Sequence, residues 1–209
     1  MRVIISILFI GISILSFSQK KFTTRIGLGI GSVHEEKFPG CEKRERNRIS
    51  LSISQYMSLG SKYSIGIEAM TSGDIWYGNR AECDVRDVAA NTTTYNYNNS
   101  KADNFFIRTR YTFDSEKKLR PFVSIGVGVI DYFYNNVTAD EGRVDKLKFG
   151  VSPELGVTVS DFDISLKMIL GGETPSYSGF DSHSNSNVSL SSIESQQLYI
   201  NVAYPIFRF

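Results

Sequence analysis

Two histidines are the residues of this chain best suited by type to serve as a catalytic base. His34 begins a charged segment, and His183 lies among serines in FDSHSNSN at 180–187. Nucleophilic catalysis requires a nucleophile, a base and an acid that rigid elements hold in fixed positions. Both histidines lie in polar segments, and serine is so common near His183 that adjacency carries little information. We therefore predict that the protein is not an enzyme and assign no catalytic residue.

The segment HEEKFPGCEKRER at 34–46 contains side chains that could ligate a metal ion. His34, Glu35, Glu36 and Cys41 carry suitable donor atoms. The four acidic residues of this segment are matched by four basic ones, which is typical of a solvated charged loop. We predict no metal site and no cofactor. The net charge of +1 likewise gives no electrostatic reason to expect nucleic acid as a partner.

The first residues have the pattern of a secretory signal peptide. Arg2 precedes a mostly apolar run from Val3 to Phe17, and a small-x-small pattern ends at Ser18. The run is shorter than the ~18 to 20 apolar residues with which a helix crosses a bilayer. We predict that residues 1–18 are removed on export and that residues 19–209 form one domain.

The chain has two cysteines, Cys41 and Cys83, and export would permit a disulfide between them. Such a bridge would stabilise the fold by up to ~4 kcal/mol if its effect is to restrict the unfolded chain. A pair of free thiols is the alternative. We favour the bridge.

Apolar and polar residues alternate with a period of two along most of the remaining chain. Because successive side chains of a strand face opposite sides, this period predicts β-strands. The strands are predicted at 25–31, 48–54, 63–69, 105–113, 123–129, 147–159, 162–170 and 197–209. An even number of strands suits an antiparallel sheet that closes on itself.

The connections between these strands alternate strictly between short and long. Short turns are predicted at 58–62, 114–120 and 160–161, and long polar loops at 34–46, 72–102, 135–145 and 171–195. In an up-and-down barrel this alternation places every long loop at one end. Outer-membrane barrels have the same asymmetry.

The residues of the two strand faces indicate which face looks inward. A soluble lipocalin-like barrel would bury its apolar face and expose its polar face to water. The polar face here is rich in glycine, which weakens a water-facing strand but suits a narrow lumen that large side chains cross. These glycines are Gly27, Gly29, Gly31, Gly66, Gly126, Gly128, Gly150 and Gly156. The composition favours an apolar face that contacts lipid.

Aromatic residues lie near both ends of the predicted strands, as in the aromatic belts of membrane proteins. At the turn end they are Tyr63, Tyr111, Phe113, Phe122, Phe162, Phe207 and Phe209, and at the loop end Tyr132, Phe133 and Tyr134. We therefore predict an all-β fold, an eight-stranded antiparallel up-and-down transmembrane β-barrel.

The signal peptide, the eight alternating strands, the unequal loops and the terminal Phe209 together resemble the small outer-membrane β-barrels of the OmpA/OmpX type, without a periplasmic domain. The resemblance covers residues 22–209 and is architectural. It implies a bacterial outer-membrane location, contact with outer-membrane lipid, and a structural or surface-interaction role in which the long loops bind an extracellular ligand. A secreted ligand-binding barrel is the alternative, followed by a small pore or an outer-membrane enzyme. The resemblance also implies that the barrel-assembly machinery reads Phe207 and Phe209.

The alternation places charged residues of both signs in the predicted lumen, where they would pair. They are Arg25, Arg48, Glu68, Arg108, Arg110, Lys148, Glu154, Asp163 and Lys167. We expect an ionic network that plugs the lumen, with Arg108 and Arg110 close to Glu68 and Glu154. In the last strand, a β-bulge at Tyr204 and Pro205 would let Leu198 and Phe207 both face lipid.

Overall fold

The computed structural model describes residues 21–35, 44–74, 82–83, 95–96, 100–113, 118–135, 143–181, 186–190, 192 and 194–208. Among these residues there is no helix long and apolar enough to cross a membrane. The signal segment 1–18, Cys41, His183 and Phe209 lie outside the described residues, so the predicted disulfide between Cys41 and Cys83 stays a prediction.

The described residues form twelve strands. These are β1 (Phe22–Glu35), β2 (Arg44–Ser58), β3 (Tyr63–Asp74), β4 (Glu82–Cys83), β5 (Tyr95–Asn96), β6 (Ser100–Thr112), β7 (Leu119–Asn135), β8 (Arg143–Val159), β9 (Phe162–Glu173), β10 (Tyr177–Asp181), β11 (Ser186–Leu190) and β12 (Glu194–Arg208). Eight of them close into one barrel in the order β1-β12-β9-β8-β7-β6-β3-β2. Each barrel strand pairs antiparallel with its neighbours, and β12 closes the ring against β1. The predicted eight-stranded up-and-down barrel is confirmed.

Short and long connections alternate around the barrel as the sequence predicted. The turns at 59–62 and 160–161 lie at one end, which we call the turn end, and the short connection from Thr112 to Leu119 joins β6 to β7 at the same end. The long connections lie at the other, the loop end. Two of them contain short hairpins that the sequence did not indicate, β4–β5 and β10–β11.

The two faces of the barrel wall differ sharply in polarity. On β2, Ile49, Leu51 and Ile53 are 48%, 51% and 37% exposed, whereas Ser50 and Ser52 between them are buried. The same alternation holds on the other barrel strands, with apolar side chains outside and polar ones inside. The barrel therefore has an apolar exterior and an interior that contains most of the polar and charged side chains of the strands.

An aromatic belt surrounds the turn end. The ring centroids of Tyr63 and Tyr111 are 4.9 Å apart, as are those of Tyr111 and Phe113. Phe162 and Tyr204 pack at 5.0 Å on neighbouring strands. Offset and edge contacts at these distances are favourable.

Three aromatic residues that the sequence assigned to the belts are buried instead. The even-numbered residues of β7, such as Ser124 and Ile130, face inward. Phe122 and Tyr132 are also even-numbered, and their side chains are buried in the lumen. Phe133 is buried under the guanidinium of Arg143, 4.0 Å from its ring centroid. For Phe122 and Tyr132 the assignment to the belts was wrong, because it used position along the strand and ignored parity, whereas Phe133 keeps the outward parity of β7 and is covered by Arg143.

Inward glycines make room for large side chains, as the sequence suggested. A Cβ at Gly156 would overlap the ring of Phe122, and one at Gly126 would lie 3.1 Å from the side chain of Arg108. At Gly128 the neighbouring backbone excludes any side chain, since a Cβ there would overlap the carbonyl oxygen of Phe105.

The last strand contains a register break close to the predicted position. Pairing between β1 and β12 passes from Arg25↔Pro205 to Thr24↔Phe207, so Ile206 is the extra residue of the bulge. The predicted site at Tyr204 and Pro205 was therefore displaced by one residue. The register of β12 with β9 ends at Ala203, which leaves Pro205 beyond that ladder, where a residue without an N–H is tolerated.

Candidate functional site

The centre of the lumen holds a cluster of two acidic and two basic side chains. Arg108 is fully buried, with Nε 3.2 Å from Oε1 of Glu68 and Nη1 2.9 Å from Oε2 of Glu154. Lys167 Nζ lies 2.7 Å from Oε2 of Glu68 and 4.0 Å from Oε1 of Glu154. The charges balance, which is the condition under which buried ions persist.

Serine hydroxyls from three strands complete this central cluster. Arg108 donates from Nη1 to Ser124 at 3.2 Å and from Nη2 to Ser152 at 2.5 Å. Ser165 donates to Oε1 of Glu154 at 2.6 Å. The polar residues of the inward face therefore fix the orientation of the ions, because each hydroxyl comes from a different strand of the wall.

A second ionic cluster lies nearer the turn end. The carboxylate of Asp163 pairs with two arginines. Arg25 Nη1 lies 2.7 Å from Oδ2 of Asp163, and Arg110 Nη2 lies 3.1 Å from Oδ1. Thr158 donates to Oδ1 of Asp163 at 2.6 Å and accepts from Nη2 of Arg110 at 2.8 Å. The guanidinium of Arg110 stacks 3.7 Å from the centroid of Phe122. Two cations thus share a single carboxylate.

An apolar layer separates the central cluster from the loop end. Its buried side chains are Met70, Ala102, Phe106, Ile130, Tyr132, Ile169 and Tyr199. Along β6 the inward positions run in order from Ala102 through Phe106 to Arg108 and Arg110, so layer and clusters are stacked along the barrel axis. The described lumen is filled by side chains at this level.

A chain of hydrogen bonds joins the tyrosines of the apolar layer to the loop end. Tyr199 donates to Oε1 of Gln197 at 2.6 Å, and Nε2 of Gln197 donates to the hydroxyl of Tyr132. Tyr132 in turn donates to Ser195 at 2.9 Å. These bonds satisfy polar atoms that would otherwise be buried at a cost.

Lys146, Lys148, Glu173 and Ser192 form an ion-pair cluster at the loop end. Glu173 lies beyond Leu170, the last outward apolar residue of β9. Its carboxylate is 2.6 Å from Lys146 Nζ and 2.5 Å from Lys148 Nζ, and it accepts from Ser192 at 2.5 Å. Hydrogen bonds from Lys146, Lys148 and Ser192 lower the pKa of Glu173 to about 2. The cluster ties β8 to the chain that follows the β10–β11 hairpin.

This low pKa gives the loop-end cluster a defined acid sensitivity. The stabilisation should be fully present above the ordinary carboxyl pKa of about 4.3 and should be lost as pH falls through about 2, because only the ionised form pairs with the lysines. We expect wild type to exceed Glu173→Gln in unfolding midpoint at pH 6, and this difference to shrink steadily from about pH 4 to pH 2. Urea titrations across that range measure the difference, and a pH-independent difference would contradict this assignment.

Seven of the nine charged residues that the sequence placed in the lumen fall into two clusters. Arg108, Glu68, Glu154 and Lys167 form the central cluster, and Arg25, Arg110 and Asp163 the second. Arg110 therefore contacts Asp163 rather than Glu68 or Glu154. Arg48 is buried in the lumen, Lys148 is 43% exposed at the loop-end mouth, and Phe207 is exposed on the outer face.

Sequence reasoning missed the apolar layer and the loop-end cluster. Phe106 lies between inward-facing Asn104 and Arg108, and Tyr199 between inward-facing Gln197 and Asn201, so counting alternate residues from Arg108 or Asn201 could have found both. Glu173 and Lys146 lie where alternation ends, and no sequence signal indicates that they meet.

The apolar exterior and the filled, charged lumen define the class: a small membrane-type β-barrel of eight antiparallel strands. Neisserial surface protein A (NspA) is a solved structure with a similar fold, with a TM-score of 0.56 and 10% identity over 88% of this chain and 96% of that one. Ail, the attachment invasion locus protein of Yersinia pestis, gives a TM-score of 0.46 and 8% identity over 92% and 100% of the two chains. The outer membrane protein AlkL, solved in DMPC lipid bilayers, gives 0.46 and 12% over 93% of each chain. No protein-family model and no curated protein sequence matches the chain.

Proposed function

We propose that this chain is an integral protein of the bacterial outer membrane, exported with residues 1–18 as a cleaved signal peptide. The observation that supports this most strongly is the apolar outer surface of a closed barrel. A closed barrel pairs every strand with two neighbours, which satisfies the backbone in a solvent that offers no hydrogen bonds. Exposed side chains such as Leu28, Ile30 and Phe149 would otherwise contact water over a continuous band.

The soluble ligand-binding barrel is disfavoured by the same surface. Such a barrel requires an apolar cavity and a polar exterior, whereas this one has an apolar exterior and buried ion pairs in its lumen. The apolar layer of the lumen is packed by Phe106, Ile130 and Tyr132, so it offers no space that a ligand could occupy without moving these side chains.

We propose that the lumen has a structural role and does not conduct ions. Eight strands enclose a space that side chains can fill, and the described lumen contains the central cluster and the apolar layer in series. We expect no single-channel conductance above background when the protein is inserted into a planar bilayer. Discrete openings in otherwise quiet membranes would contradict this role.

We propose that the long loops carry a surface-interaction role, with an extracellular ligand as partner. The name of NspA, a surface protein that shares the fold, supports this assignment. The barrel presents four long connections together at one end, two of them with hairpins of their own. Phe207 in β12 and Phe209, which follows the strand in sequence, are proposed to be read by the barrel-assembly machinery during insertion. We propose no catalytic role.

Localisation and loop exposure can be tested in one experiment. An epitope inserted within 84–90 should be labelled on intact cells, and the protein should fractionate with detergent extracts of outer membrane. The matched control carries the same epitope within 114–117, in the short connection between β6 and β7, and should be labelled only after the cells are opened. Release of the protein with periplasmic contents would refute the proposal.

A further inference from the structure

The second ionic cluster leaves one positive charge without a carboxylate of its own. Arg25 and Arg110 both contact Asp163, and their side chains are 13% and 9% exposed. Water therefore reaches this cluster only in part, from the turn end. A cation in such a position is stabilised by a further anion, since the low local dielectric strengthens the attraction.

More positive charge lies on β7 at the same mouth. Arg120 is paired with Thr158 in the β7–β8 register, and Thr158 accepts a hydrogen bond from Arg110. Lys118, two residues before Arg120, is also exposed. Arg120 is therefore next to the second cluster on an adjacent strand, and Lys118 lies just before the start of β7 at the same end.

A further cation, Arg208, lies at the turn end on β12. Arg208 of β12 is paired with Thr23 of β1, two residues from Arg25. It is 54% exposed and lies 2.5 Å from Asp161, which is similarly exposed. A surface pair of this kind is weak, because solvent screens it and side-chain entropy opposes it. Arg208 is therefore available to exchange Asp161 for another anion.

We propose that this cationic mouth, formed by Arg25, Arg110, Lys118, Arg120 and Arg208, binds a phosphate group. Among the described residues its only carboxylates are Asp161 and Asp163. Guanidinium groups present paired N–H donors that match phosphate oxygens, and four of the five cations are arginines. The phosphate is that of a free anion or of an anionic lipid headgroup at the turn end. The inference goes beyond the proposed function and needs only the folded barrel.

The test is a titration of inorganic phosphate into the detergent-folded barrel, followed by 31P NMR line width at constant ionic strength maintained with chloride. We expect saturable broadening. Arg120→Gln and Arg208→Gln should each weaken it about tenfold, as loss of one charge-assisted hydrogen bond implies. Asp161→Asn should strengthen it, because Arg208 loses its competing carboxylate. Lys101→Gln, an exposed lysine of β6 at the loop end, is the matched control and should have no effect.

Nanodiscs distinguish the two sources of phosphate. If inorganic phosphate still binds in nanodiscs that contain anionic phospholipid, the site is assigned to free phosphate. If binding is lost in those nanodiscs but is kept in zwitterionic ones, the site is assigned to a lipid headgroup. No saturable broadening in either lipid, or an equal change in all variants including Lys101→Gln, overturns the proposal. All of these substitutions lie at the ends of the barrel. The mobility of unheated samples in SDS gels verifies that each variant folds.

Discussion

Replacement of Arg108 by methionine should lower the free energy of unfolding by about 3–5 kcal/mol, the range for breaking a buried ion pair from one side. Methionine fills much of the space and removes the charge. Glu68 would keep Lys167 at 2.7 Å, but Glu154 would keep only the hydroxyl of Ser165 and a lysine at 4.0 Å. The cost arises because a carboxylate is left buried without a close cation.

The second half of this experiment tests that explanation. Adding Glu154→Gln to Arg108→Met should recover part of the lost stability, since the unpaired charge is gone while the amide still accepts from Ser165. The matched control is Arg143→Met, which removes an exposed arginine 2.9 Å from Asp131 and should cost no more than about 1 kcal/mol. Reversible urea unfolding in lipid vesicles measures all four proteins. A double variant less stable than Arg108→Met would exclude the proposed cause.

Replacement of Leu51 by arginine should destabilise the barrel by about 2–4 kcal/mol in a bilayer, the range for a lipid-facing arginine at the midplane. Leu51 lies in the middle of the outward apolar run of β2, directly opposite Leu28 of β1. An arginine there must either lose its hydration or draw water and headgroups toward the membrane centre.

Leu59→Arg provides a matched control for this lipid-facing substitution. Leu59 has the same side chain and the same exposure as Leu51, 51% in both cases, but lies in the turn after β2. Its replacement should cost no more than about 1 kcal/mol, because the charge remains among headgroups or in water. Equal effects of the two substitutions would mean that the apolar band does not contact lipid.

The sequence was most informative where a single period governs the structure. Alternation identified the eight barrel strands, and the spacing between them identified which connections are long. It was weaker wherever an assignment needed more than the alternation itself. Phe122 and Tyr132 were placed on the outside from their position along the strand, although their parity faces the lumen. The bulge in β12 was expected because strict alternation could not place Leu198 and Phe207 both toward lipid, and it was assigned to Tyr204 and Pro205, yet the extra residue is Ile206.

The sequence did not indicate which charged side chains pair with each other across the lumen. The inward position of Arg110 followed from alternation, but its partner is Asp163 on β9 rather than Glu68 on the neighbouring strand β3. Which side chains meet across a barrel depends on the tilt and stagger of the strands, and these are properties of the closed ring. The loop-end contact of Glu173 with Lys146 is a similar case, since it joins two strands at a point where alternation has ended.

The sequence by itself thus determined the fold class, the number of strands and the side of the wall on which most residues lie, because these depend on local alternation along one strand. Only the tertiary structure decided that the ions divide into a central and a second cluster, that an apolar layer lies above them, and that Arg25 and Arg110 share one carboxylate. The physical reason is that closure brings together residues far apart in the chain, at distances set by the stagger of all eight strands together.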